Sequence, residues 1–212
     1  MDGILGRKVG MTQVYDAAGR RVAVTLIEAG PCVVVQRKTA ARDGYEAVQM
    51  GFVEQKPQRV NKAMSGHFAA GGTAPHKVLR EVHLEQGEEA AAGEQITVSL
   101  FDGEEYLDVL GVTKGRGFQG PVKRHRMAGG RMTHGGHSKR RIGAIGECSY
   151  PARVAKGKRM PGQMGHVHVT VQNLKIVKIQ PEDNLLLVQG AVPGPNGGIV
   201  LVRKSLKKRK SA

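Results

Sequence analysis

Apolar positions in this chain fall in short runs and two-residue alternations, not at the three-to-four-residue spacing of a helix face. Runs at 21–27, 32–36, 47–53, 96–100 and 106–109, bounded by Gly, Pro or Asp, predict short strands. Val167, Val169 and Val171 alternate with His166, His168, Thr170 and Gln172, the pattern of a strand with the valines on a buried face and His166 and His168 opposite. Apolar runs at 174–179 and 185–188 flank a turn at Pro181-Glu-Asp-Asn184, and a last run at 199–202 follows Pro193-Gly-Pro-Asn-Gly-Gly198, completing a meander. Short strands at this spacing predict a mainly β protein whose antiparallel sheet is closed or sandwiched. A short helix is expected at 61–70, and the Glu-rich stretch 84–94 reads as a solvated loop or helix edge. No internal repeat is visible.

Between 111 and 165 the pattern fails. Those 55 residues contain 13 glycines and six Leu, Ile, Val or Phe, too few to build a core of their own. They also hold 13 Lys or Arg against Glu147 alone: Lys114, Arg116, Lys123, Arg124, Arg126, Arg131, Lys139, Arg140, Arg141, Arg153, Lys156, Lys158 and Arg159. A tail carries six more cations between 203 and 210, and the rest of the chain has 14 cations against 17 carboxylates. The net charge of +15 therefore lies on two appendages of a near-neutral body. The expected division is a globular body of 1–110 with 166–202, a basic extension of 111–165, and a basic tail of 203–212. Alone, the extension should be disordered, and an anionic partner should order it by neutralising it.

Phosphate suits that partner. Lys and Arg release counterions from a nucleic-acid backbone, and glycines let the main chain approach phosphate oxygens. In Thr113-Lys-Gly-Arg-Gly-Phe118 an aromatic follows the cations, so phosphate contact and base stacking lie within one turn. RNA is favoured over DNA, because no helix-turn-helix, zinc finger or basic zipper is present and an irregular arm suits irregular RNA. His125 and His134 are assigned to the same RNA-facing surface as the 13 cations. The competing reading is a metal-dependent RNA-processing enzyme with a metal at His134 and His137, whose HxxH spacing suits zinc, and with His125 as a third candidate ligand. A fourth ligand and a scaffold are missing from it, and no nucleophile, carboxylate pair or phosphate-binding GxxxxGK[ST] loop stands out. No apolar run approaches the roughly 18 residues that cross a bilayer, and Met1-Asp2-Gly3 opens without a signal-like segment. Cys32 and Cys148 form no CxxC. A soluble, unprocessed intracellular protein is the expectation.

Phe101, Asp108, Gly111, Thr113, Gly115, Arg116, Gly117, Gly120 and Arg124 fall at the spacing of a known family, and similar wording recurs at 3–13, 36–49, 66–68 and 184–198. The chain resembles the universal large-subunit ribosomal protein family called L-three, in its bacterial form. The resemblance implies a closed antiparallel β-barrel of translation-protein type, with a long irregular basic loop threaded through rRNA toward the peptidyl-transferase region. It implies primary binding near the 3′ end of 23S rRNA, nucleation of large-subunit assembly, and contact with the neighbouring proteins L-fourteen and L-nineteen in the cytoplasmic ribosome. It also implies no catalysis, no cofactor or metal, no membrane and no small-molecule substrate. The chain departs from the family in the loop: His125 stands where a Trp is usual, Glu147 where relatives carry a methylated Gln, and Ala152 and Ala155 at Gly and aromatic positions.

Overall fold

The computed structural model describes residues 1–84 and 88–208. Twelve strands appear among them: β1 (Gly3–Tyr15), β2 (Arg21–Ala29), β3 (Cys32–Lys38), β4 (Ala47–Glu54), β5 (His76–His83), β6 (Gln95–Ile96), β7 (Tyr106–Val112), β8 (Phe118–Gln119), β9 (Gly162–Gln163), β10 (His168–Gln180), β11 (Leu185–Gln189) and β12 (Ile199–Lys204). Three short helices accompany them: α1 (Ala40–Asp43), α2 (Lys62–Ala70) and α3 (Pro121–His125). The chain divides into two compact units, one of Met1–Val112 with His168 onward and one of Thr113–Val167.

In the first unit six strands close a barrel in the order β1-β12-β7-β10-β11-β2, so each has a partner on both sides and the sheet keeps no open edge. Every pairing is antiparallel. Ile4, Ile27, Leu107, Val109, Leu186, Val188, Val200 and Val202 fill the interior at 2% exposure or less, and Leu5 is buried on the opposite face of β1. Each such side chain contributes about 1.5 to 3 kcal/mol by burial. A second sheet, ordered β5-β4-β3-β6, packs Val34, Val48, Met50 and Val82 into the same core cluster. The helix expected at 61–70 is α2, and Asn61 caps it by accepting the Met64 N–H at 2.8 Å.

Four expectations are corrected. The run 96–100 is a strand only at Gln95–Ile96; it then turns into a 3-10 segment, Val98–Phe101, because Val98 and Phe101 are both buried three residues apart. Val167 and Val169 are 54% and 37% exposed, so their alternation with histidines marks no buried face. Val171 packs half-buried against the core, and Leu174 is the first buried residue of β10, after a bulge at 171–174 shifts the register. In the Glu-rich stretch, Glu88 is not idle: its carboxylate pairs with the Met1 ammonium, while Glu85 lies outside the described residues. Arg203 and Lys204 of the expected tail run on as the end of β12, opposite Asp108 and Leu107. Arg209 and Lys210 lie outside the described residues. Among the described residues no helix is long and apolar enough to cross a membrane.

Candidate nucleic-acid interface

The unit Thr113–Val167 is inserted between β7 and β10, whose ends pair through Val112 and His168. Its two legs stay together at first. The Thr113 N–H donates to the Val167 carbonyl at 2.9 Å, the Arg116 N–H to Met164 at 2.8 Å, and the Met164 N–H to Gly117 at 2.9 Å. β8 and β9 continue the ladder through Phe118 opposite Gln163 and Gln119 opposite Gly162. Gly165 has a φ of +74°, and a Cβ there would collide with the Lys114 carbonyl, so the ribbon needs glycine at its base. Gly120-Pro121 then starts α3, with proline at the first helical position where its missing N–H costs nothing.

Arg124 and His125 tie α3 to the opposite leg. The Arg124 Nη1 donates to the Met160 carbonyl at 2.8 Å, and the His125 Nε2 lies 3.0 Å from the same oxygen. Because a carbonyl only accepts, His125 carries its proton on Nε2 in this arrangement. Gly162 makes room for the clamp, since a Cβ there would sit 2.7 Å from the Arg124 Nη1. Beyond it the chain makes a wide excursion over 126–159. A loop within it is closed by the Gly130 N–H on the Lys139 carbonyl at 2.7 Å and turned by the Gly136 N–H on Thr133 at 3.1 Å. Gly129, at a φ of +80°, would place a Cβ 2.5 Å from the Lys139 oxygen.

Of the 15 candidate site residues, 13 are exposed and only Arg124 and His125 are half-buried. Lys114 and Arg116 precede Phe118, which is 76% exposed. Arg131, His134, Lys139, Arg140 and Arg141 crowd one loop, and Arg153, Lys156, Lys158 and Arg159 follow on the returning leg. None of the 13 cations takes a carboxylate partner among the described residues. The unit thus offers donors and positive charge with no carboxylate of the described residues to neutralise them. Sequence reasoning missed the clamp on Met160; the signal available was Gly120-Pro121 as a helix start, which places Arg124 and His125 in the last turn. His134 and His137 are both exposed, and no group of three His, Cys, Asp or Glu gathers around them among the described residues.

A β-barrel protein carrying one cation-dense, carboxylate-poor inserted unit is the class these elements define. Within that class, the chain belongs to the family described as Ribosomal protein L3, whose model matches residues 47–184, a family of structural and not enzymatic proteins. A large ribosomal subunit protein uL3 from Acidothermus cellulolyticus is 52% identical over 206 residues, covering 97% of this chain and 93% of that protein. Proteins of the same description from Pelotomaculum thermopropionicum and Syntrophotalea carbinolica are 51% and 50% identical, the alignments covering 98% of each of those two proteins.

Proposed function

We propose that the chain is a structural constituent of the large ribosomal subunit, an rRNA-bound scaffold of the cytoplasmic ribosome that takes no chemical step. The observation that carries this reading is the exposed, unpaired cation set of Thr113–Val167 in a member of this family. In finer terms, the body 1–110 with 166–202 fixes position, the extension 111–165 fills and neutralises crevices between RNA helices, and the tail 203–212 adds a second cationic contact. Lys114, Arg116, Lys123, Arg126, Arg131, His134, Lys139, Arg140, Arg141, Arg153, Lys156, Lys158 and Arg159 take phosphates or bases. Arg124 and His125 brace the stem while offering RNA their remaining ring and guanidinium nitrogens. The family resemblance supports a site near the 3′ end of 23S rRNA, an early role in assembly, support of the peptidyl-transferase region, and neighbours L-fourteen and L-nineteen.

Cosedimentation tests the proposal. The tagged full chain should remain with purified large subunits through a high-salt wash, at one copy per subunit, and should already be present in the earliest assembly precursors. Recovery in the free-protein fraction would defeat the ribosomal reading, and late entry into precursors would defeat the assembly role alone.

A further inference from the structure

The body has fewer cations than carboxylates, yet four cations gather on one of its grooves. Arg20 and Arg21 come from the β1–β2 hairpin and Lys175 and Lys178 from β10, with Asp16 the one carboxylate of the lining, around a volume of about 680 Å³. The groove arises from strand lengths. β11 pairs with β2 only from Val24 to Glu28, whereas β1 and β2 stay paired out to Tyr15 and Arg21. The hairpin therefore overhangs as a two-stranded ribbon, and the stretch of β10 at 175–178 lies across the gap. Val14, Val22, Ile176 and Leu187 supply an apolar floor, and Tyr15 stands at the rim with 66% of its surface exposed. Arg20 is paired with Asp16 at 2.9 Å, and Lys175 lies 3.7 Å from Glu105. Arg21 and Lys178 have no ion pair among the described residues and are exposed.

We propose that this groove is a second RNA site, on the barrel and separate from the inserted unit, which takes an unpaired strand segment: phosphates on Arg21, Lys178 and Lys175, a base stacked on Tyr15, and a neighbouring base over the apolar floor. The inference rests on the ribosomal reading above and extends it to a surface with no place in the cation count of the sequence. A groove that joins unpaired cations to one exposed aromatic ring matches the way single strands are held, through the backbone charge and the face of a base together. A duplex would touch only the rim cations and leave Tyr15 and the floor without a partner. An acidic protein segment would satisfy the cations but would gain little from a lone tyrosine.

The test uses full-length protein in assembled large subunits. An azidophenacyl probe is attached to Ala17→Cys at the groove, and in a separate protein to Ser138→Cys in the inserted unit, both in a Cys148→Ser background. Irradiation should crosslink the Ala17 probe to unpaired rRNA nucleotides. The pair Arg21→Glu with Lys178→Glu, and separately Tyr15→Ala, should each lower that yield at least about fivefold without changing the Ser138 crosslink. Crosslinks from Ala17 to a protein or to helical nucleotides, or none while the Ser138 probe still reaches rRNA, would overturn the groove and leave the ribosomal reading standing. Loss of rRNA crosslinks from both probes, with the chain absent from subunits, would overturn both.

Discussion

Asp108 is 3% exposed, and what surrounds it explains an irregularity in the barrel. Its Oδ1 accepts the Asn173 N–H at 2.8 Å and its Oδ2 the Leu206 N–H at 3.4 Å, while the Ser205 hydroxyl donates to the Asn173 Oδ1 at 2.7 Å. Asn173 sits at φ +56°, a conformation asparagine tolerates better than most residues, and this is where β10 bulges. One buried carboxylate thus fixes both the bulge and the start of the C-terminal segment. Asp108→Ala should cost about 1 to 3 kcal/mol in urea unfolding, because two backbone donors lose their acceptor, and Asp108→Asn should recover part of that loss. Equal stability of the alanine variant and the wild type would refute the latch. Cys32 gives a second residue-scale expectation. Burial pushes its thiol up to about 12 from 9.0, against a smaller opposing effect of the Leu5 backbone. The unfolded thiol ionises near 9.0 while the folded one keeps its proton to about 12, so its contribution is complete below pH 9.0 and is lost as pH rises toward 12. Urea midpoints should therefore fall less between pH 8 and 10.5 in Cys32→Ala than in the wild type, and a thiol reagent should modify only the exposed Cys148 of the native chain. Neither environment was legible in sequence. The same holds for Lys8, counted there as a body cation but 7% exposed, with its ammonium donating to the Val192 carbonyl at 2.8 Å.

Elements dense in apolar residues were legible: β2, β3, β4, β7, β11 and β12 all coincide with apolar runs. β1 escaped because Gly3, Gly6, Lys8 and Gly10 interrupt its alternation. Two of those interruptions are structural, since a Cβ at Gly3 would collide with the Val202 carbonyl and one at Gly6 would come within 2.8 Å of the Glu28 carbonyl. β5 escaped for the reason edge strands do: it is bonded on one side only and buries Val82 alone, so His76-Lys-Val-Leu-Arg-Glu81 shows no clean period of two. The charge of the inserted unit was legible and its internal bonding was not, because backbone ladders such as Thr113 to Val167 leave no mark in composition. Those bonds divide the unit into a braced stem and a loop beyond Met160, and limited proteolysis should find the division. Trypsin should cut the free protein first at Lys139-Arg140-Arg141 and should spare that site in intact subunits. In Arg124→Ala with His125→Ala, which together release the Met160 carbonyl, cleavage at Lys158-Arg159 should become about as fast. Equal protection of 139–141 in the free and bound states would refute a loop ordered by RNA.

For the molecule as a whole, the separation of a carboxylate-rich body from a carboxylate-poor insertion decides how binding responds to salt. If about six of the 13 inserted cations meet phosphates, about six counterions leave the RNA, and the logarithm of the association constant should fall against the logarithm of salt with a slope of roughly −4 to −5. The alternative, a rigid apolar interface with incidental charge, predicts a slope near zero. Neutralising a compact group separates the two more sharply than deletion, which would also disturb the ends of β7 and β10. Lys139, Arg140 and Arg141 suit this purpose: they are consecutive, exposed and without carboxylate partners among the described residues. Replacing all three by Gln should flatten the slope by roughly 2 to 3, at about 0.7 to 0.9 for each phosphate left without its cation. The same replacement on the body at Lys56, Arg59 and Lys62, which lie outside both the groove of Arg21 and Lys178 and the insertion, should leave it unchanged. Filter binding to 23S rRNA between roughly 50 and 200 mM salt measures both slopes in the range where such effects are largest. If the two triple variants behaved alike, the cations would act through net charge alone, and the insertion would lose its claim to be the principal RNA contact.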